Sequence, residues 1–221
     1  MEIMRGLHFV SGVLYNSNVY VLGEDDLTLI DLGTAANLTH LFGAIKSFGL
    51  DSRRIRQIVV THAHIDHIGG LPKISELLNP KICAPKGEAD YIEKADDHMI
   101  LSWMFGSKFE PVDVDVRLSS GDMLQVDDFH LRVLHTPGHT RGSICLYDEE
   151  KKTLLSGDTV FSGGAFGRVD LPTGNAEELR KSLLMLSKLE VEYLLPGHMN
   201  TVTKGANEDI RQSYLNTKFL L

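Results

Sequence analysis

Cysteine is scarce. The two cysteines among 221 residues, Cys83 and Cys145, allow no disulfide framework and no CxxC pair for metal or redox work. Both lie in apolar strand contexts and read as small core residues of a protein kept in a reducing compartment, so a cytoplasmic location is expected. Basic charge is also short: 22 Lys plus Arg stand against 30 Asp plus Glu, a net charge of −8. That balance argues against a nucleic-acid partner, because phosphate affinity rests on clustered Lys and Arg. No apolar run approaches the ~18 residues of a membrane span, and the start MEIMRGLHFVSG lacks a signal peptide's apolar stretch, so no membrane partner is expected. Linkers, low-complexity tracts and long repeats are missing as well. The sequence reads as one domain over residues 1–221, long enough to bury on the order of 70% of its unfolded surface without staples.

Histidine is abundant instead: ten in all, five of them packed into two short segments. Around these segments the chain alternates between two periodicities. Asn18–Leu22 and Leu27–Asp31 are β-rich runs separated by the turn Gly23-Glu24-Asp25-Asp26. Leu38, Leu41, Phe42 and Ile45 recur at helical spacing, and Gly49 stops that helix. Ile58-Val59-Val60 is a continuous apolar run, as in a strand buried on both faces. A helix through Ile74, Leu77 and Leu78 and a strand over residues 81–84 follow, and Tyr91–Trp103 forms one or two helices. From Val114 the pattern is β again, with runs at 123–126, 130–134, 143–147 and 153–156. An amphipathic helix over 176–189, a strand at 193–195 and a helix over 207–219 close the chain. Each half is a run of strands followed by helices, an order that two face-to-face sheets with outer helices would satisfy.

Thr61-His62-Ala63-His64-Ile65-Asp66-His67-Ile68-Gly69-Gly70 directly follows the buried strand, placing four potential ligands within six residues as HxHxDH. One histidine is ordinarily just a polar residue; three with an aspartate at a strand end form a mixed nitrogen and oxygen donor set suited to zinc, iron or manganese. Gly69-Gly70 is read as a tight backbone turn into the next helix. Three later segments also put a His or Asp beside a Gly just after a strand. They are His135-Thr136-Pro137-Gly138-His139, Gly157-Asp158-Thr159 and Pro196-Gly197-His198. Loops leaving strand ends are where sites on a rigid scaffold lie.

HxHxDH, a downstream histidine, a GD aspartate and a terminal GH histidine, in that order from about Asn18 to His198, closely resemble the metallo-β-lactamase-fold hydrolases. The resemblance implies an α+β fold, an αββα sandwich of two mixed β-sheets flanked by helices. It further implies that His62, His64 and His139 hold one divalent metal, that Asp66, His67 and His198 hold a second, and that Asp158 bridges them. Zn2+ is the first expectation and Fe or Mn the alternatives. By the same resemblance Asp31 is a buried aspartate behind the ligands, and Asp66 is also catalytic, orienting a hydroxide shared by the metals. Two metals sharing a hydroxide need no serine or cysteine nucleophile to open an activated carbonyl.

Gly157-Asp158-Thr159-Val160-Phe161, Gly167-Arg168-Val169-Asp170 and Pro196-Gly197-His198-Met199-Asn200-Thr201-Val202-Thr203 resemble the glyoxalase II branch. That branch hydrolyses hydroxyacyl-glutathione thioesters, so a small-molecule thioester is the expected substrate. Only 23 residues follow His198, and Asp170 stands where the branch has an aromatic, so the chain resembles the short hydroxyacylglutathione-hydrolase-like group. Arg168 keeps the basic charge and is a candidate carboxylate clamp, against a structural ion pair with Asp170 or Glu178. The alternatives are a mononuclear-iron persulfide dioxygenase, which shares much of the motif set, and a non-catalytic metal-binding module. Two features stand outside this pattern. His135 reads as a strand-end histidine packed under Pro137, and His98, Met99, Trp103, Met104 and Phe105 read as a helical pocket wall, with pure core as the alternative.

Overall fold

The computed structural model describes residues 1–219. It divides into two compact units, Met1–Arg117 and the chain from Leu118 onward.

The first unit opens with an antiparallel ribbon of four strands: β1 (Glu2–Met4), β2 (Leu7–Val10), β3 (Val19–Leu22) and β4 (Leu27–Ile30). Helix α1 (Leu38–Ser47) then crosses over to β5 (Ile55–Val59), which pairs parallel to β4. After a single turn, α2 (Ile65–Ile68), and helix α3 (Leu71–Leu78), β6 (Lys81–Pro85) adds parallel to β5. Parallel neighbours need such crossovers, and here helices supply both. Two short helices, α4 (Ala89–Lys94) and α5 (Asp97–Ile100), lead to a 3-10 turn at Ser102–Phe105 and to β7 (Val116–Leu118), the last strand of this seven-stranded mixed sheet. Ile58 on β5 is fully buried, as its continuous apolar run requires, and it shares a core with Leu41 and Ile45 of α1 and Leu71 and Ile74 of α3. Burial of each such side chain is worth about 1.5–3 kcal/mol, which is what holds helices of this length in place.

The second unit is a five-stranded sheet ordered β12-β11-β10-β9-β8, built from β8 (Met123–Val126), β9 (Phe129–His135), β10 (Ile144–Asp148), β11 (Thr153–Gly157) and β12 (Tyr193–Pro196). The first four pair antiparallel, whereas β12 returns through helix α6 (Ala176–Leu186) and pairs parallel to β11. Asn175 caps α6 by accepting from the Glu178 amide at 3.0 Å, with Glu177 and Glu178 in the first turn, a strong N-terminus. Leu179, Leu183 and Leu186 turn inward beside Ile210 of α7 (Asn207–Asn216). Beyond β12 the chain reverses, and Val202 exchanges two hydrogen bonds with Leu194, at 2.8 and 2.9 Å. Two mixed β-sheets flanked by α-helices are the layers of the expected αββα sandwich.

Differences from the sequence reading are local. The last predicted helix ends at Asn216 and continues as a 3-10 turn over Thr217–Phe219. Gly69 and Gly70 have ordinary negative φ, −60° and −81°, so their role is close approach rather than turning. A Cβ on Gly69 would stand 2.6 Å from the Ile65 carbonyl oxygen, and one on Gly70 would stand 2.9 Å from Leu32.

Candidate metal centre

In the first unit the ligand loop begins where β5 stops. The Thr61 amide donates to Oδ1 of Asp31 at 2.8 Å, and the Thr61 hydroxyl donates to Oδ2 at 2.8 Å. With its proton directed at the carboxylate, that hydroxyl oxygen accepts from Nδ1–H of His62 at 3.2 Å. Nδ1–H of His67 donates to Oδ2 of Asp31 at 2.8 Å. One buried carboxylate, 2% exposed, thus sets the tautomer of two imidazoles and leaves each Nε2 with its lone pair. Asp31 lies just past β4 at φ +57°, a region that aspartate tolerates better than most residues. Main-chain bonds lock it there: its amide donates to the Val59 carbonyl, and the amides of Leu32 and Gly33 donate to the His67 carbonyl.

His64 precedes α2, and its carbonyl accepts from the amides of His67 and Ile68. That single turn places the His67 ring 4.1 Å from the His62 ring, centroid to centroid. Nε2 of His62 stands 3.1 Å from Nδ1 of His64, and Nε2 of His67 stands 3.8 Å from Oδ2 of Asp66. The first is satisfied by a proton on His64 or by a shared cation; the second is too long for a hydrogen bond. Two ligand atoms each ~2.1 Å from a tetrahedral metal are separated by about 3.4 Å, so both distances fit the edge of a metal's coordination shell.

The second unit carries a matching cluster. Nδ1–H of His139 donates to the Arg168 carbonyl at 2.7 Å, again leaving Nε2 with its lone pair. Nε2 of His139 and Nε2 of His198 stand 3.6 and 3.5 Å from the same Oδ2 of Asp158. His139 follows β9, Asp158 follows β11 and His198 follows β12, so three strand ends supply the three groups. Gly167 makes the arrangement possible: a Cβ there would overlap the Asp158 carbonyl oxygen at 1.8 Å and press on the His139 ring at 3.1 Å. The donor chemistry fits a divalent first-row metal in both units, with neutral imidazole nitrogens and carboxylate oxygens lying mostly away from water.

Every histidine and aspartate predicted as a ligand therefore falls into one of two clusters of candidate ligands: His62, His64, Asp66 and His67 in one unit, and His139, Asp158 and His198 in the other. Asp31 lies directly behind the first. Arg168 contributes its main-chain carbonyl to the second, while its guanidinium holds Asp170 at 2.7 and 2.8 Å and draws that carboxyl down to about 2. Glu178 instead donates its amide to the Asn175 side chain that caps α6. His135 is exposed rather than packed, with its Nε2 donating to the Arg141 carbonyl at 2.9 Å. Two residues escaped the sequence reading. Thr61, which relays Asp31 to His62, carried a signal in its place beside HxHxDH; Glu88, buried and accepting from the Ala63 amide at 3.0 Å, carried none.

Comparison with known proteins gives the family and the fold. The sequence profile of the metallo-β-lactamase superfamily matches residues 12–198. Acyl-coenzyme A thioesterase MBLAC2 of Homo sapiens is 31% identical over 170 residues, and the match spans 68% of this chain and 58% of the thioesterase. A crystal structure of the B3 metallo-β-lactamase BLEG-1 has a TM-score of 0.79 at 26% identity, covering 97% of this chain and 99% of the lactamase. Another, of a protein in a di-iron-bound form, has a TM-score of 0.73 at 28% identity, covering 89% and 94%.

Proposed function

Because the chain belongs to the metallo-β-lactamase superfamily, we propose that it is a binuclear metal-dependent thioester hydrolase of the short glyoxalase II-like kind. His62, His64 and His139 would hold one metal ion, Asp66, His67 and His198 the other, and Asp158 would touch both. Zn2+ suits this set first, and iron, as in the di-iron relative, is the alternative. Such a pair supplies Lewis acidity for the carbonyl oxygen and water acidified enough to attack near neutral pH.

The protein's own groups do the rest. Asp31, through His67 and through Thr61 to His62, keeps two imidazoles in the tautomer that offers Nε2. Asp66, whose side chain is 15% exposed, is the carboxylate able to orient the attacking water and hold its proton. Oxygen adds to the thioester carbon, the carbon–sulfur bond breaks, and the departing thiolate takes up a proton. Arg168 at the edge of its cluster is the candidate for a carboxylate on the substrate. The buried free thiols Cys83 and Cys145 suit a reducing compartment such as the cytoplasm.

The observation that supports this reading is the set of imidazole Nδ1 atoms engaged by Asp31, Thr61 and Arg168, which turns Nε2 of His62, His67 and His139 into an acceptor able to bind a metal. The thioester rests on the likeness to an acyl-coenzyme A thioesterase. The test is a panel of thioesters and a cephalosporin assayed with zinc, iron and manganese, alongside metal analysis and an oxygen electrode. Two metals per chain with thioester cleavage and no oxygen uptake are expected. One iron per chain with oxygen consumed would replace this reading by the persulfide dioxygenase, and cleavage of the lactam alone would make the chain a lactamase.

A further inference from the structure

The first unit exposes apolar side chains that its core does not use. Leu14 is 90% exposed, Tyr15 73% and Trp103 62%, with Val13, Met104 and Phe105 also exposed. They lie in two segments far apart in sequence that meet through an edge-on contact between the Tyr15 and Phe105 rings, 5.8 Å between centroids. Leu14 sits at φ +59°, where a leucine is strained, and no burial offsets that cost. The loop is nonetheless held: the Asn16 side chain donates to the Val13 carbonyl at 2.7 Å and accepts from the Thr34 amide at 2.6 Å. The Ser17 amide donates to the Asp66 carbonyl at 3.0 Å, so the exposed loop is tied directly to a ligand residue. The second segment follows α4, at whose start Glu88 grips the ligand loop at Ala63.

We propose that these six side chains form the subsite for the apolar acyl chain of the substrate, so that medium- and long-chain acyl thioesters are preferred. The inference rests on the thioesterase reading for the identity of its occupant. A second copy of the chain is a poor occupant, since stable interfaces engage roughly 20–30 residues a side. An anionic membrane surface is another, because residues 11–18 and 96–107 contain no Lys or Arg, include Asp96 and Asp97, and are flanked by Lys94 and Lys108, which pair with Asp90 and Glu110. The same lack of cations directs the patch at the acyl end of a thioester rather than at an anionic thiol carrier.

The test uses the metal-loaded protein and S-acyl-N-acetylcysteamine thioesters from acetyl to dodecanoyl, whose thiol is small and uncharged. Each methylene fully withdrawn from water is worth a factor of roughly four, so partial cover predicts kcat/KM for octanoyl at least tenfold above acetyl. Leu14→Ser and Trp103→Ser should bring that ratio below threefold, whereas Met123→Ser, an exposed methionine of the other unit, should leave it. Trp103 is the single tryptophan, so its emission reads the patch without turnover. A blue shift on adding the non-cleavable S-dodecyl thioether supports the subsite, even if no thioester proves to be a substrate and the hydrolase reading falls. Cleavage with a flat chain-length profile overturns it, as does an emission that ignores the thioether. A blue shift produced by raising protein concentration alone also overturns it, giving the patch to a second copy.

Discussion

Nδ1 of His67 and Oδ2 of Asp31 stand 2.8 Å apart across 36 residues of chain, and the same carboxylate reaches His62 through the Thr61 hydroxyl. One aspartate therefore sets the proton positions of two candidate ligands. Asp31→Asn keeps the size and the tolerance of positive φ but turns one acceptor into a donor. Metal affinity should fall about 10–100-fold, the usual effect of losing a partner behind a ligand. Chelator competition on a variant with unchanged circular dichroism measures it, and wild-type affinity would detach Asp31 from the metal centre.

Asp158→Ala tests the bridge. Removing the carboxylate that faces both His139 and His198 should cost several kcal/mol of transition-state stabilisation, a rate loss on the order of a thousandfold. The fold should survive, because the apolar core of this unit does not include Asp158. Turnover, metal content and circular dichroism are read on one preparation. A folded variant with near-normal turnover and two metals would refute the bridge.

Arg168 separates a clamp from an ion pair. If its guanidinium binds a substrate carboxylate, Arg168→Ala raises KM more than it lowers kcat on S-lactoylglutathione, the signature of losing uniform binding. Asp170→Ala, which only releases the guanidinium, should leave KM level or lower it. Equal increases from both variants would make the pair structural.

The two cysteines predict an alkaline limit. Burial pushes both thiols up from 9.0 to about 11, so between those pH values the unfolded chain has lost protons that the native chain keeps. Stability is then full below pH 9 and falls as pH rises toward 11, by an amount on the order of 2–3 kcal/mol per thiol. Urea titrations at pH 8, 9, 10 and 11 check this against Cys83→Ala/Cys145→Ala. A wild type no more alkali-sensitive than the double variant would contradict it.

Most of the scaffold was legible because its signals repeat. The leucines of α6 and the unbroken apolar run of β5 declare period and burial within a few residues. HxHxDH and the three later ligand segments were legible because each stands beside a glycine at a strand end. Shorter features lack a period to read. The turn α2 is four residues long, and β1 and β2 are three and four. Glu88 shows why a partner can be invisible: it acts through the main-chain amide of Ala63, 25 residues away, and an amide carries no side-chain signature. Arg168 is similar, since its sequence signal is charge whereas its contribution to His139 is a carbonyl that any residue has.

The reversal after β12 bears on how the enzyme could be remodelled. β12 is an outer strand, and residues 197–201, which carry His198, lead into Val202 and its two bonds back to Leu194. The loop that presents this candidate ligand is thus also a guard on an open sheet edge. Shortening or exchanging it to admit a bulkier substrate would bare the backbone of Leu194 to pairing with other chains, so such variants should aggregate before their chemistry can be judged. Remodelling is better begun at the proposed acyl subsite, at Leu14 or Trp103, where no strand edge is being guarded.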